Sequence, residues 1–597
     1  MIEIYYNPLD INCKSVLGAV GVGVPFTITV SAPNLQRLSV CFHQDNGNNF
    51  AVEMTKNQNT FTCSLTFQEK GLYFYNFQSN GVIFGKGDNY LAQEGVEDCF
   101  QLSIYIADYT TPDWIKGGLI YQIFPDRFCR GDNTFCVKDR NIHENWNELP
   151  VWEPNELGEI TNDDFFGGNI KGITEQLDYL KSLNVSAIYL NPINKAKSNH
   201  RYDVGDYMVI DQMLGSNEDF INLCNKAKNL GIRVILDGVY NHTGDDSRYF
   251  NRYGNYNEVG AYQSRNSVYH NWYNFYDYPN GYNSWWGFKT LPALNKENKV
   301  FRHFITGEGG VLTHYLDYGA SGYRLDVVDE LPDSFVKEIR KAVKSRSADN
   351  LLIGEVWEDA TNKIAYGVRR EYFLGEELDS IMNYPLRSGI LHFLLKKDSS
   401  LFVQTINDMA DHFPTQALHT LMNILGTHDT PRLLTVLAGL TANTREEMAV
   451  LQIPEYLIGV AIERFKKAIL MQFTVYGVPS IYYGDELGMQ GYKDPFNRQT
   501  FNKDNKIVEI NDFIKKVSDI RYNYNHLFKS GLLKFEYVDS DIVVYSRTVE
   551  DESIYIGINC SNSEYQINFN GSLKELLTET TYQDEYILKP NDICVLI

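Results

Sequence analysis

The spacing of apolar residues changes twice along the chain. Through residues 1–112, runs such as PFTITVSAP, LSVCFHQD, FTCSLTF and LYFYNFQSNG alternate apolar and polar positions between polar turns. A period of two broken by frequent turns predicts an antiparallel β-sandwich. TTPDWIKGG reads as a linker. Beyond it, apolar runs bounded by Gly or Pro alternate with helical patterns. Eight strands are predicted: LIYQIFP, VSAIYLNP, RVILDG, GYRLDV, LLIGEV, SIMNYP, LMNILG and VPSIYYG. Between the second and third, GSNEDFINLCNKAKNLG predicts a helix with Ser216 as its cap and Asp219 three residues on. Phe220, Leu223, Ala227 and Leu230 form its apolar stripe and Gly231 its stop. Eight near-continuous apolar strands separated by helices fit a closed (β/α)8 barrel over residues 113–528 better than an open sheet. The longest interruption, residues 242–305 after the third strand, reads as an excursion walling a cleft. From 529 to 597, DIVVYSRTVEDESIYIGINC and DEYILKPNDICVLI return to alternation. The expected fold is multidomain: a TIM-type barrel flanked by N-terminal and C-terminal antiparallel β-sandwiches.

Charged residues interrupt the apolar strands at particular places. In GYRLDVVDE, Arg324 and Asp326 are two apart and so point to one face of a strand. A buried ion pair holding the strand in register would explain that stretch by itself. Yet Asp237 ends the third strand, Asp326 the fourth and Glu355 the fifth, and Asp429 follows the seventh. In such a barrel the C-terminal strand ends share one face, and that face carries the chemistry. Four separate ion pairs on one rim would serve stability badly, so a functional rim is the better reading.

Composition narrows the chemistry. At 597 residues, with 43% hydrophobic and 22% charged positions, the chain is ordinary globular protein, too long for one core. No apolar run is long enough to cross a membrane. A formal charge of −22 argues against nucleic acid, whose phosphates require clustered Lys and Arg. The chain holds 41 Tyr, 33 Phe and 7 Trp, crowded in NWYNFYDYPNGYNSWWGF, residues 271–288. Mixed there with Asn, Gly, Pro and Asp, they read as an exposed loop whose ring faces suit sugars. Nine cysteines without C-x-x-C spacing suggest free thiols in a reducing compartment. With no basic-then-apolar leader in MIEIYYNPLDINCKS, a cytoplasmic location is expected.

Metal-dependent hydrolysis would want H-x-H or H-E-x-x-H, and phosphate chemistry a Gly-rich loop with Lys; both are missing. Glycoside cleavage needs two carboxyl groups in different protonation states facing one anomeric carbon. The rim offers such a pair.

DGVYNH, GYRLDVVDE, IGEVWEDA and ILGTHDTPR, in that order and spacing, resemble the four signature segments of the alpha-amylase family of retaining glycoside hydrolases. IYQIFPDRF, FFGGNIKGI, LPALN and GVPSIYYGDELGMQG resemble its neopullulanase, cyclomaltodextrinase and maltogenic amylase branch. The resemblance covers about residues 113–500. It implies that Asp326 is the nucleophile, Glu355 the general acid/base and Asp429 the carboxylate that grips sugar hydroxyls and distorts the ring. His242 and His428 would bind hydroxyls, Tyr202 would stack beneath the cleaved sugar, and Asp494 with Arg498 would hold the next one. A plain loop salt bridge explains that last pair nearly as well. Arg324 is expected to keep Asp326 ionised, and Trp357 to be the neighbour that keeps Glu355 protonated. Retention implies carboxyl groups roughly 5 to 5.5 Å apart. Asp237 and Asn241 read as supports of the rim.

Three segments depart from the branch. Tyr323 stands where it has Trp, VVDE replaces VANE, and LPALN replaces MPKLN; all three are expected to alter the acceptor side. Relatives often bind calcium after the first strand. Here CRGDNTFCVKD places Arg130 where an oxygen ligand is expected, and Asn169 replaces an Asp, so no metal or other cofactor is expected to be required. The N-terminal sandwich resembles, by position and texture, the starch-binding module of this branch, with a homodimer through it as one use and an inert spacer as another. The implied activity is hydrolysis of α-1,4-glucosidic bonds, with α-1,6 bonds also open, in maltodextrins, cyclodextrins, pullulan or starch. A transglycosylase or α-1,6-specific glucosidase remains open within the family, and a non-catalytic α-glucan-binding protein outside it.

Overall fold

A computed structural model describes residues 3–45, 47–131, 140–156 and 158–597. Its centre is a ring of eight parallel strands: β1 (Ile120–Ile123), β2 (Ala187–Leu190), β3 (Arg233–Gly238), β4 (Gly322–Leu325), β5 (Leu351–Gly354), β6 (Ser380–Ile381), β7 (Met422–Ile424) and β8 (Val478–Tyr482). Their order is β6-β5-β4-β3-β2-β1-β8-β7. A parallel bridge from Met382 to Met422 closes the ring. Every one of the eight predicted strands is a stave of this barrel.

Alternation along each strand sorts the side chains. Ile120, Ala187, Tyr189, Ile235, Leu351, Ile353, Met422, Ile424 and Val478 pack together inside. Their neighbours, among them Tyr121, Ile188, Leu236, Tyr323, Leu325 and Leu352, join the larger core shared with the helices. Between β2 and β3 the helix Asn217–Asn229 starts from a capping box of Ser216 and Asp219 and buries Phe220, Leu223 and Ala227. Among the described residues, no helix is long and apolar enough to cross a membrane.

Before the barrel, a seven-stranded and a three-stranded antiparallel-rich sheet enclose a core that includes Phe26, Ile28, Phe42, Phe61, Tyr75, Phe77 and Phe100. After it, one six-stranded antiparallel sheet covers Leu532–Leu596, with one side in the barrel's core and the other closed over Ile542, Val544, Ile567, Leu588 and Leu596. The N-terminal sheets are fastened to the barrel. Lys14 Nζ lies 2.6 Å from Asp411 Oδ1, both side chains at zero exposure, and Tyr90 donates to Asp408 at 2.5 Å. Stripping one partner from a buried pair of this kind costs about 3–5 kcal/mol.

The excursion after β3 differs from the expected exposed loop. Trp272, Tyr273 and Tyr282 are buried, because this long segment packs back into the core shared by the barrel and its helices. Trp272 packs 5.4 Å from Phe301 and 5.2 Å from Phe304, and Phe250 packs against Tyr273 and Tyr282. Tyr276, Trp286 and Phe288 remain exposed. The loop is therefore half scaffold and half surface.

Candidate active site

At the C-terminal ends of β3, β4 and β5, one guanidinium collects three carboxylates. Arg324, fully buried, places Nη1 3.0 Å from Asp237 Oδ1 and 2.9 Å from Asp326 Oδ1, and Nη2 2.8 Å from Glu355 Oε2. The first two are aligned hydrogen bonds. The Glu355 contact is a charge contact whose N–H points elsewhere. Parallel register creates the cluster: Asp237 pairs with Arg324 across β3 and β4, and Arg324 with Ile353 across β4 and β5. Burial raises Asp326 well above the ordinary carboxylate range, Arg324 draws it down, and the Glu355 and Asp237 charges push it up again. The expectation that Arg324 simply holds Asp326 ionised is thus modified, because one guanidinium is divided among three acids. Asp237 is likewise raised by burial, against Arg324 and the hydroxyls of Tyr189 and Tyr202.

Glu355 has two further donors. Its Oε2 accepts the Val327 amide at 2.8 Å and its Oε1 the Trp357 indole N–H at 3.2 Å. Val327 makes its bond from a left-handed backbone, φ 39° and ψ 54°, which costs a β-branched residue about 1–3 kcal/mol. Trp357 is a hydrogen-bond donor to Glu355 whose ring stacks on Tyr384 at 3.7 Å, not the apolar cover expected.

A neutral hydrogen-bond chain connects this cluster to β1, β2 and β7. Tyr202 donates to Asp237 Oδ2 at 2.8 Å, beside Tyr189 at 2.6 Å. Tyr202 receives Asn191 Nδ2 at 2.9 Å and lies 2.6 Å from His428 Nε2. Gln122 Nε2 reaches Asn191 Oδ1 and His428 Nδ1. Since Gln122 can only donate there, the network assigns the His428 proton to Nε2. Burial, then Arg498 and Arg324, lower His428 well below the ordinary histidine value. Its 3.2 Å approach to Asp429 is therefore that of a neutral ring whose Nε2 proton is shared first with Tyr202.

Asp429 stands on the opposite side with 32% of its side chain open. The surrounding protein, then the Glu355 charge, raise it to about 7, against Arg498 and Arg324. The pair Asp494 and Arg498 is present, with Arg498 Nη1 3.0 Å from Asp494; Nη2 also lies 3.6 Å from Asp429, and Nε donates to the His428 carbonyl. His242 follows β3, its ring stacked 5.0 Å from Trp285 and its Nδ1 3.2 Å from Asn241 Nδ2. Its Nε2 is buried with no hydrogen-bond partner among the described residues. Burial, then Lys296, lower it to about 3, so it too is neutral.

Beyond the aromatic loop, sequence reading did not single out Glu330 or Tyr366. Glu330 Oε1 accepts from Trp286 Nε1 at 3.3 Å and from the Tyr366 hydroxyl at 2.5 Å. Trp286 and Tyr366 are 75% and 71% exposed, so two aromatic rings stand open on either side of Glu330. It also missed Gln122 and Asn191, although a glutamine inside the apolar run IYQIF was a visible signal. Tyr323 corrects an expectation: its hydroxyl donates to the Leu312 carbonyl in the outer layer, one residue out of phase with Arg324, and does not face the acceptor side. Arg130 and Asn169 have other employment. Arg130 donates to the carbonyls of Phe166 and His143 at 2.6 Å each, and Asn169 caps the helix Ile170–Glu175. A guanidinium spending those oxygens does not suit a hard cation. The rest of CRGDNTFCVKD, residues 132–139, lies outside the described residues.

Comparison with known proteins agrees with this geometry. The family profile described as "Alpha amylase, catalytic domain" matches residues 122–523. An amylopullulanase of Thermoanaerobacterium saccharolyticum is 33% identical over 95% of the chain, which spans 49% of that protein; the chain thus covers about half the length of this relative. A cyclomaltodextrinase of Geobacillus thermopakistaniensis is 32% identical over 79% of the chain and 73% of its own length. Among solved structures, the cyclic alpha-maltosyl-(1→6)-maltose hydrolase of Arthrobacter globiformis superposes with a TM-score of 0.67 at 28% identity, covering 81% of this chain and 99% of its own. The chain belongs to the alpha-amylase family of glycoside hydrolases.

Proposed function

We propose that this protein hydrolyses α-1,4-glucosidic bonds, and α-1,6 bonds as a second linkage, in maltodextrins, cyclodextrins, pullulan or starch with net retention. The observation that carries the reading is the pair Asp326 and Glu355, on adjacent strands, touching the two terminal nitrogens of one buried guanidinium. In the first step Glu355 gives its proton to the glycosidic oxygen while Asp326 attacks the anomeric carbon. The bond to the leaving sugar breaks and a glycosyl ester forms. Water then attacks the same carbon, Glu355 takes its proton, and the ester opens to release the α-anomer. Growth of positive charge on the sugar favours ionised Asp326, and ester formation removes its negative charge as Glu355 gains one, so the two neighbouring carboxylates need not both be charged at once.

Around that pair, neutral His428 and His242 are fitted to donate to or accept from sugar hydroxyls, and the unpartnered Nε2 of His242 supports this role. Tyr202 offers the ring beneath the cleaved sugar, Asp429 grips its hydroxyls, and Arg498 with Asp494 holds the next sugar. The names of the relatives, amylopullulanase and cyclomaltodextrinase, support the substrate class. Glycosyl transfer is a second reading, favoured by the open rings of Trp286 and Tyr366, which suit a sugar acceptor as well as water. A cytoplasmic location accords with the eight free cysteines of the described residues.

Asp326→Asn and Glu355→Gln should each lower kcat on maltoheptaose by at least about 10³-fold with the circular-dichroism spectrum unchanged. Proton NMR of the wild-type digest should show the α-anomer first; an initial β-product, or near-normal turnover by either variant, would refute the assignment. Products from maltoheptaose, pullulan and β-cyclodextrin, run side by side, report linkage and transfer.

The raised Asp429 gives a pH test of stability. A carboxyl group that titrates at about 7 when folded and at about 3.9 when unfolded contributes stability fully present below the unfolded value and lost as pH rises through 7. Asn carries no such penalty. Asp429→Asn should therefore gain in Tm over wild type between pH 5 and pH 8, on the order of 2 °C, and a difference that is flat or falling with pH would contradict the environment described.

The reading includes no required calcium, supported by Arg130 on the Phe166 and His143 carbonyls. Dialysis against EDTA should leave kcat and Tm unchanged; loss of either, restored by added calcium, would overturn it.

A further inference from the structure

The segment between Glu355 and β6 is held as much by the N-terminal sheets as by the barrel. Beyond Trp357 it makes a tight turn in which Asp359 Oδ1 accepts the Thr361 amide at 2.9 Å and hydroxyl at 2.6 Å, while Asp359 Oδ2 takes His412 Nδ1 at 2.7 Å. At this turn a residue of the N-terminal strand Phe100–Tyr105 intervenes. Gln101 Nε2 donates to Thr361 Oγ1 at 2.8 Å, and Gln101 Oε1 accepts Asn362 Nδ2 at 2.8 Å. Gln101 is 2% exposed. Both ends of its amide are spent on two consecutive residues of the strap.

The strap then forms a small hairpin, Ile364–Ala365 against Val368–Arg369. Its tip carries Tyr366 to Glu330. On the way back, Arg369 pairs with Asp45 and its guanidinium lies 5.8 Å over the Phe74 ring. Lys70 then holds Glu371 at 2.8 Å and Glu376 at 2.5 Å. The N-terminal sheets thus grip the strap before and after the hairpin. The exposed surface pairs around Lys70 are worth little each. Gln101 is different, because its side chain and its bond to Thr361 are buried, its bond from Asn362 is half-buried, and a lost partner would leave the other polar groups unsatisfied.

We propose that Gln101 is a positioning residue, through which the N-terminal domain acts on the cleft of its own chain by fixing the strap that carries Trp357 to Glu355 and Tyr366 to Glu330. Trp357 is the link: its indole N–H bonds Glu355 Oε1, and it stands four residues before Thr361. A strap released at Thr361 and Asn362 loosens that donor, and small displacements of an acid from its leaving oxygen are costly in rate. The inference rests on the assignment of Glu355 as proton donor.

The test compares full-length wild type, Gln101→Ala and Asn362→Ala on maltotriose, whose leaving sugar needs a proton, and on α-maltosyl fluoride, whose leaving fluoride needs little help. Gln101→Ala should lower kcat on maltotriose roughly ten- to a hundredfold and on the fluoride far less, with KM for the fluoride unchanged. Asn362→Ala, which removes one of the two bonds, should show the same imbalance to a smaller degree and decides the matter if Gln101→Ala fails to fold. Equal losses on both substrates, or full activity on both, would overturn the proposal and leave Gln101 as an interface residue. If wild type itself turns over neither substrate, the assigned function fails instead. Hydrogen exchange across residues 359–370 then decides for the strap, with faster exchange in Gln101→Ala expected and unchanged exchange contrary.

Discussion

A single buried guanidinium organises this protein's chemistry. Arg324 lies at zero exposure at the top of a barrel whose interior is mainly apolar, where an unpaired charge would cost several kcal/mol. It is tolerated because strands β3, β4 and β5 each bring a carboxylate to it. The reverse is equally true: Asp237, Asp326 and Glu355 could not share so small a space without a cation between them. A one-residue slip of β4 would turn Arg324 and Asp326 outward into the helix layer. The register of three staves and the assembly of the reactive pair are therefore one constraint, and the chain of Tyr202, His428, Asn191 and Gln122 extends it to β1, β2 and β7.

Around that centre the structure keeps several groups in states that do not favour stability. Asp326 and Asp429 sit where burial and neighbouring charge resist ionisation. Val327 adopts a left-handed backbone directly after Asp326, and His242 Nε2 has lost water without gaining a described partner. Each is a modest cost, and all converge on the same few ångströms of cleft. Strain and unsatisfied groups collected at one place are what a site built to bind and polarise a ligand displays. The surrounding barrel and the docked N-terminal sheets, with the buried Lys14–Asp411 pair at their junction, supply the rigidity that maintains them.

Strand positions and rim carboxylates were legible from the period of apolar residues because parallel barrel strands are short, continuous and bounded by Gly or Pro. The same alternation already contained the fate of Tyr323, which must face away from Arg324 one residue on, yet similarity to a family pattern drew it toward the cleft. The aromatic loop was only half readable, since composition cannot tell a surface loop from an excursion that packs back on the barrel's core through Phe250, Phe301 and Phe304. Contacts between residues far apart in sequence left no local trace. Glu330 joins Trp286 to Tyr366 across 80 positions of chain, and Gln101 grips a segment about 260 residues away. Trp357 shows the limit from the other side: its nearness to Glu355 was plain, but whether it would present a ring face or an N–H depended on Tyr384, which stacks against it.

The most direct test of the central claim is to identify the atom that bonds to sugar. A fluorinated α-glucosyl fluoride that stalls at the ester stage should add one glycosyl mass to the protein, and after peptic digestion mass spectrometry should find it on the peptide containing Asp326. Attachment at Glu355 or Asp429, or turnover of ordinary substrate by a protein that the reagent never labels or slows, would contradict the account.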